Sequence, residues 1–304
     1  MRIASLVALA LLSACEGVGA SGGEGRLQIF VAPEETIPEG LEPGSGEENV
    51  ADGWRVEYTK FLVVIGGFRA RQSAHPGAAI DVDRRWVVDL RNVPTAGLVL
   101  ADLEVEAARW DRFGFDLPVA TATTERAEGT AEADHDRMVR GGLSLYVAGT
   151  LTKPDGESCL PTHPADCKPA PKVTFAWGLA AGTSFDDCAA STGDAGFAVP
   201  ASGAVQVKPT LHGDHWFFSN VTQGAEITKR RAQWIANADL DRDGETTLDE
   251  LRQTRASDLF SADEYNLSGA ILPIFSGHDY LEAQARSLGD YQGDGECPTR
   301  RFLP

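Results

Sequence analysis

The chain has 304 residues and a formal net charge of −18, from 45 acidic against 27 basic side chains. This balance argues against a nucleic-acid partner, which calls for a basic face, and suits a surface kept soluble by charge or one that meets divalent cations. The length allows one large domain or two modest ones with a real core.

At the start, Met1 and Arg2 precede an apolar run from Ile3 to Leu12, closed by Leu12-Ser13-Ala14-Cys15. One positive charge, a short apolar core and small residues before a break are the parts of a secretory signal peptide over residues 1–14. The run is too short for a permanent transmembrane helix, which needs about 20 residues. The four residues ending in Cys15 resemble the lipobox of bacterial lipoproteins. That resemblance implies a diacylglyceryl group on the Cys15 sulfur, removal of residues 1–14, and attachment to the membrane through lipid. Glu16 stands where the family's inner-membrane retention signal places Asp, which favours the outer membrane. Residues 15–25, made mostly of Gly, Ser, Ala and Glu, read as a flexible tether.

Residues 26–223 carry short alternating segments that predict an antiparallel β-sandwich. Leu27 to Val31 forms the first, followed over residues 32–53 by a long loop rich in Pro, Gly and Glu. Trp54, Val56 and Tyr58 alternate with polar neighbours before the fully apolar Phe61 to Ile65, and Trp86 to Leu90 follows. The period of two returns at Leu103-Val105-Ala107, Leu143-Leu145-Val147, Val173-Phe175-Trp177 and Val205-Val207. Many short strands with Gly and Pro in the turns, and no helical stretches between them, favour a sandwich over a parallel α/β sheet. Residues 118–140, rich in Ala, Thr, Glu and Asp, read as another long loop.

Apart from Cys15, the cysteines are Cys159, Cys167, Cys188 and Cys297. An even set in an exported chain predicts two disulfides, with three possible connectivities. Cys159 and Cys167 flank a loop holding Pro161 and Pro164, so a local bridge comes first and leaves Cys188 with Cys297. The absence of any C-x-x-C pair disfavours a zinc cluster or redox centre. His212-Gly213-Asp214-His215 is the one local cluster suited to copper or zinc. Residues three apart on a strand point to opposite faces, so the two rings can share an ion only if Gly213 bends the chain. The competing reading is a hydrogen-bonded turn at a strand end, and His75 or His278 could complete a metal set.

After about residue 224 the pattern becomes helical. Ile227, Trp234, Ile235 and Ala238 fall on one helical face. Leu281, Ala285 and Leu288 recur at helical spacing, with Ser276 and Asp279 as a capping box and Gly289 as a stop. Residues 224–304 are thus expected to form a small C-terminal helical region.

Within it, residues 239–250 read Asp239-Leu240-Asp241-Arg242-Asp243-Gly244-Glu245-Thr246-Thr247-Leu248-Asp249-Glu250. These residues resemble the EF-hand calcium loop. The resemblance covers only the loop and its flanking helices. It makes Asp239, Asp241 and Asp243 side-chain ligands, Glu245 a backbone-carbonyl ligand, Thr247 a ligand through water, and Glu250 the bidentate closing group. Calcium is a hard cation that takes six to eight oxygens, which this set supplies. Gly244 sits where the chain turns with positive φ, and Glu250 enters the first turn of the exiting helix, where a carboxylate suits the dipole. At the eighth position, where paired EF-hands carry an aliphatic residue, stands Thr246. The segment from Asp290 to Gly295 lacks an acid at its third position and reaches Arg301 at its twelfth, so it is no second loop. Dockerin modules carry two such loops ending in Asp, unlike this one. A lone loop implies a structural calcium site resting on the β domain.

No G-x-S-x-G elbow, P-loop or H-E-x-x-H motif occurs. Acidic pairs such as Asp186-Asp187 are too common in so acidic a chain to imply glycoside hydrolysis. The tryptophans Trp54, Trp86, Trp110, Trp177, Trp216 and Trp234 either fill the core or include a sugar-stacking platform. The expected protein is a non-enzymatic, calcium-binding exported lipoprotein that binds a protein or glycan at the cell surface. The alternative is a copper- or zinc-handling or metal-dependent hydrolytic protein using His212, Asp214 and His215.

Overall fold

The structure, a computed structural model, describes residues 23–94, 96–222, 228–270 and 272–302. Cys15, residues 1–14, most of the expected tether, and Ile227 lie outside the described residues. The protein is mainly β. Its spine is the strand Arg55–Gln72, which pairs antiparallel with His75–Asp89, Leu145–Thr152 and Arg112–Leu117. The unbroken apolar run Phe61 to Ile65 explains this central position, because a strand covered on both faces cannot alternate with polar residues. Phe61, Val63 and Ile65 join the main core, while Leu62 and Val64 join a second cluster with Val87, Ala120 and Met138.

That second cluster corrects the reading of residues 118–140 as a loop. A helix, Glu132–Gly141, covers the back of the spine strand, and Gly142 ends it at φ 55°. Lys60 Nζ fastens this helix to the sheet, 2.6 Å from Asp134 and 3.1 Å from buried Asp89. The expectation of no helix among the strands fails with it. Glu125–Arg126 forms a short strand parallel to Trp86 and Val87.

A second sheet is centred on Glu24–Pro33, which pairs antiparallel with Leu98–Glu106 and parallel with Ala204–Val207 and Pro209–Leu211. Both sheets are therefore mixed, which corrects the purely antiparallel expectation. Leu27, Ile29 and Val31 of this sheet share one continuous core with Val56, Phe61 and Val63 of the large one. Within residues 32–53, Thr36–Glu39 forms one helical turn. All six tryptophans are buried, so none offers an exposed sugar platform.

Both first-choice disulfides are present, Cys159–Cys167 and Cys188–Cys297. Residues beyond 224 contribute the helices Gln233–Asn237, Leu248–Gln253, Ala256–Leu259 and Gly277–Ala285. The Ser276–Asp279 capping box is formed in both directions, at 3.2 Å and 3.0 Å. This part is not all helix. Gly289, expected as a helix stop, opens the strand Gly289–Tyr291 against Pro209–Leu211, and Thr299–Arg301 pairs with Thr183–Phe185.

Candidate metal centres

The helix Gln233–Asn237 leads into the acidic loop and is anchored by aromatic packing. Trp234 lies in near-parallel contact with Trp177 at 6.0 Å and meets Tyr280 edge-on at 5.3 Å. The loop then turns twice through positive φ, at Arg242 (62°) and Gly244 (89°). The first is uncommon for a residue with a side chain. Its guanidinium is held 2.7 Å from the Asp166 carbonyl and 3.1 Å from the Asp166 carboxylate. Asp166 lies in the Cys159–Cys167 loop, and Cys159 N donates to Asn237 Oδ1 at 3.0 Å. The local disulfide loop therefore grips the acidic loop at its entry and within it, a contact with no local sequence signal.

Backbone N–H groups orient the carboxylates. Asp239 accepts from Asp243 N at 3.1 Å and Gly244 N at 3.0 Å, and Asp241 accepts from Asp243 N at 3.1 Å. Asp243 accepts from Glu245 N at 2.8 Å. Glu250 reaches back, taking Leu240 N on one oxygen and the Thr247 N–H and hydroxyl on the other, each at 2.8 Å. The Thr247 hydroxyl also accepts from Glu250 N, completing a capping box for Leu248–Gln253.

Oxygens of Asp239, Asp241 and Glu250 lie within 4.8 Å of one another, with Asp243 outside that trio. Asp239 is 2% exposed and Glu250 8%. Among the described residues, no Lys, Arg or His pairs with Asp239, Asp241, Asp243 or Glu250, whereas neighbouring Asp249 pairs with Arg252 at 2.7 Å. Burial raises the Asp239 pKa, and the charges of Glu250 and Asp243 add to this against the backbone hydrogen bonds it accepts. Such a set of oxygen donors fits a hard divalent cation.

After Gly244 the chain enters the large sheet. Glu245–Thr246 forms a two-residue parallel strand against Thr174 and Phe175. Thr246 is fully buried. Its hydroxyl donates to Ile235 O at 2.7 Å, and its carbonyl accepts from Trp177 Nε1 at 2.8 Å. The departure at this position is thereby explained. The loop strand pairs with the β core of its own chain, and a threonine can satisfy its hydroxyl there.

The histidine cluster forms a second convergence. The chain bends at Gly213, where a Cβ would meet Ile37 at 2.8 Å and Thr36 at 3.0 Å, so the close packing favours glycine. The two rings consequently share one side, with centroids 5.3 Å apart. Asp214 turns instead toward Arg230, whose Nε donates to it at 2.7 Å. The acid that joins the histidines is Asp290, whose Oδ2 lies 3.1 Å from His212 Nε2. Pairing of Gly289–Tyr291 with Pro209–Leu211 sets Thr210 opposite Asp290 and brings the carboxylate to His212. Burial works to lower the His212 pKa, but contact with Asp290 and the charges of Asp290, Asp214 and Glu34 raise it to about 9. Burial lowers that of His215. Neither His75 nor His278 joins a potential ligand group among the described residues, and His278 meets Arg252 at 3.2 Å.

Compared with protein-family models, with curated proteins and with solved structures, the chain finds no match.

Proposed function

We propose that residues 239–250 bind calcium in the manner of an EF-hand, and that the ion clamps the C-terminal segment onto a β-sandwich core. The observation that carries this reading is the convergence of Asp239, Asp241 and Glu250, two of them buried and without a cationic partner among the described residues, on a loop hydrogen-bonded into the sheet. Like charges a few ångströms apart in partly excluded solvent repel by kilocalories. A divalent ion reverses the sign of that effect. The role is structural and the protein non-enzymatic, acting at the cell surface by binding a protein or glycan.

Calcium at about a hundredfold its dissociation constant should add about 2.7 kcal/mol to the folded state, raising the melting temperature by roughly 5–10 °C for a chain of this size. Magnesium should raise it less, since it tolerates only a tighter six-oxygen shell. Glu250→Gln should remove the response while leaving the calcium-free melting point nearly unchanged, because the lost acceptor, at about 1 kcal/mol, is offset by relief of its repulsion with Asp239. Asp249→Asn should keep the response, as that side chain faces Arg252. A wild-type melting curve unmoved by millimolar calcium would contradict the assignment.

The resemblance of Leu12-Ser13-Ala14-Cys15 to a lipobox supports export and lipid anchoring through Cys15, with the outer membrane favoured. The two disulfides agree with an oxidising compartment. Cys15→Ala should release the protein from membranes, and mass spectrometry of wild type should find an acylated Cys15 at the mature N-terminus. A mature chain beginning elsewhere would refute lipidation.

A further inference from the structure

We propose that His212, His215 and Asp290 form a second metal site, suited to zinc or a similar borderline divalent ion and separate from the calcium loop. One donor atom from each lies within 4.8 Å of the other two. The set offers two imidazoles and one carboxylate, a mixture that favours zinc over the all-oxygen preference of calcium.

Three details separate this trio from a chance cluster. The first is the tautomer of His215. Its Nδ1 lies 2.9 Å from Ser287 Oγ, and that hydroxyl gives its only proton to Gln284 O at 2.9 Å. Ser287 must accept, so His215 carries its hydrogen on Nδ1 and leaves Nε2 with a free lone pair. Holding one imidazole nitrogen in this way is how proteins present the other to a metal.

The second is the state of His212 and Asp290. His212 is 9% exposed, and its Nε2 is buried without a hydrogen bond. Asp290 Oδ2 stands 3.1 Å away as its ion-pair partner. A divalent ion that takes both atoms displaces the His212 proton and replaces the ion pair with two coordinate bonds. Zinc bonded at 2.0–2.2 Å in a tetrahedron places its ligand atoms about 3.3 Å apart. The His212–Asp290 separation already matches that edge, and the donor atom of His215 lies within 4.8 Å of both.

The third is space. His215 and Asp290 line a cavity of about 100 Å³, which Glu296 and Ser287 also border. It has room for water in a fourth coordination position, as at zinc sites with three protein ligands. A rival trio of Glu34, His212 and Asp214 is disfavoured because Arg230 already occupies Asp214, and a guanidinium beside a ligand repels a second cation.

The test uses the full chain, stripped with chelator, kept in millimolar calcium, and titrated with zinc chloride by calorimetry. The expected result is one zinc per chain. Asp290→Asn and His215→Gln should each weaken binding at least tenfold, and Ser287→Ala should weaken it by about tenfold through the lost orientation of His215. Cobalt in place of zinc should give a visible absorption band that the same variants lose. Glu250→Gln should leave zinc binding intact, so a failure of the calcium assignment is read separately. If His215→Gln does not fold, Asp290→Asn carries the test, since its side chain is 16% exposed and the change is nearly isosteric. Absence of zinc binding in wild type, or unchanged binding in the folded variants, overturns the proposal.

Discussion

Trp234→Ala should destabilise the protein by about 3–5 kcal/mol, the range for removing a large buried aromatic from a packed core, and lower its melting temperature by on the order of 10 °C. Trp234 is 1% exposed and touches Trp177, Phe260 and Tyr280, so the cavity would open where the acidic loop, the large sheet and the C-terminal helices meet. Trp177 in turn donates to the Thr246 carbonyl inside the loop. The same substitution should therefore weaken calcium binding severalfold although Trp234 offers no ligand. Trp234→Phe makes the sharper comparison. The indole Nε1 is buried without a hydrogen bond, so its removal relieves an unsatisfied donor while the ring contacts largely persist. That variant should lose less than about 1.5 kcal/mol and keep its calcium response. An Ala variant melting within a degree or two of wild type would show that the aromatic junction does not couple loop to sheet.

What could be read from the sequence divides along a physical line between local and long-range pairing. The run Phe61 to Ile65 announces a strand buried on two faces, and the alternation from Val173 to Trp177 one buried on a single face. The Ser276–Asp279 capping box follows from spacing, and the short, proline-bearing loop between Cys159 and Cys167 makes their local bridge the first choice among three connectivities. The loop acids were legible because their offsets along the chain are themselves the geometry. By contrast, Glu132–Gly141 carries no helical period in the sequence, because its only fully buried apolar side chain is Met138. The parallel partners are two- to four-residue strands whose pairing has no local signature. Asp290 joins the histidines only through the register of Gly289–Tyr291 on Pro209–Leu211. The grip of Asp166 on Arg242 likewise exists only once the disulfide loop is folded against the acidic loop.

The two disulfides should separate stability from calcium affinity. Cys188–Cys297 closes a loop of 109 residues that contains His212, the whole of residues 239–250, and Asp290. In the chain-entropy account, cross-linking a loop of about 100 residues removes unfolded-state freedom worth about 4.7 kcal/mol. Native contacts around this bridge do not depend on it: Cys188 N donates to Phe113 O, and Ala189 N to Glu296 O, each at 2.9 Å. Replacing both cysteines by Ala should thus lower the melting temperature by on the order of 10 °C while leaving the calcium dissociation constant nearly unchanged. Cys159–Cys167 spans only 8 residues and by the same relation contributes about 2.5 kcal/mol. Yet its loop supplies Asp166 to Arg242, between the proposed ligands Asp241 and Asp243, and the Cys159 N–H to Asn237, just before Asp239. Replacing this pair by Ala should cost less stability but weaken calcium binding severalfold, because Arg242 then loses the support for its positive φ. Thermal melting and calcium calorimetry on the two double variants read both quantities. If the short bridge proves the more stabilising, or the long bridge the one that sets affinity, the division between an entropic tether and a local brace is wrong.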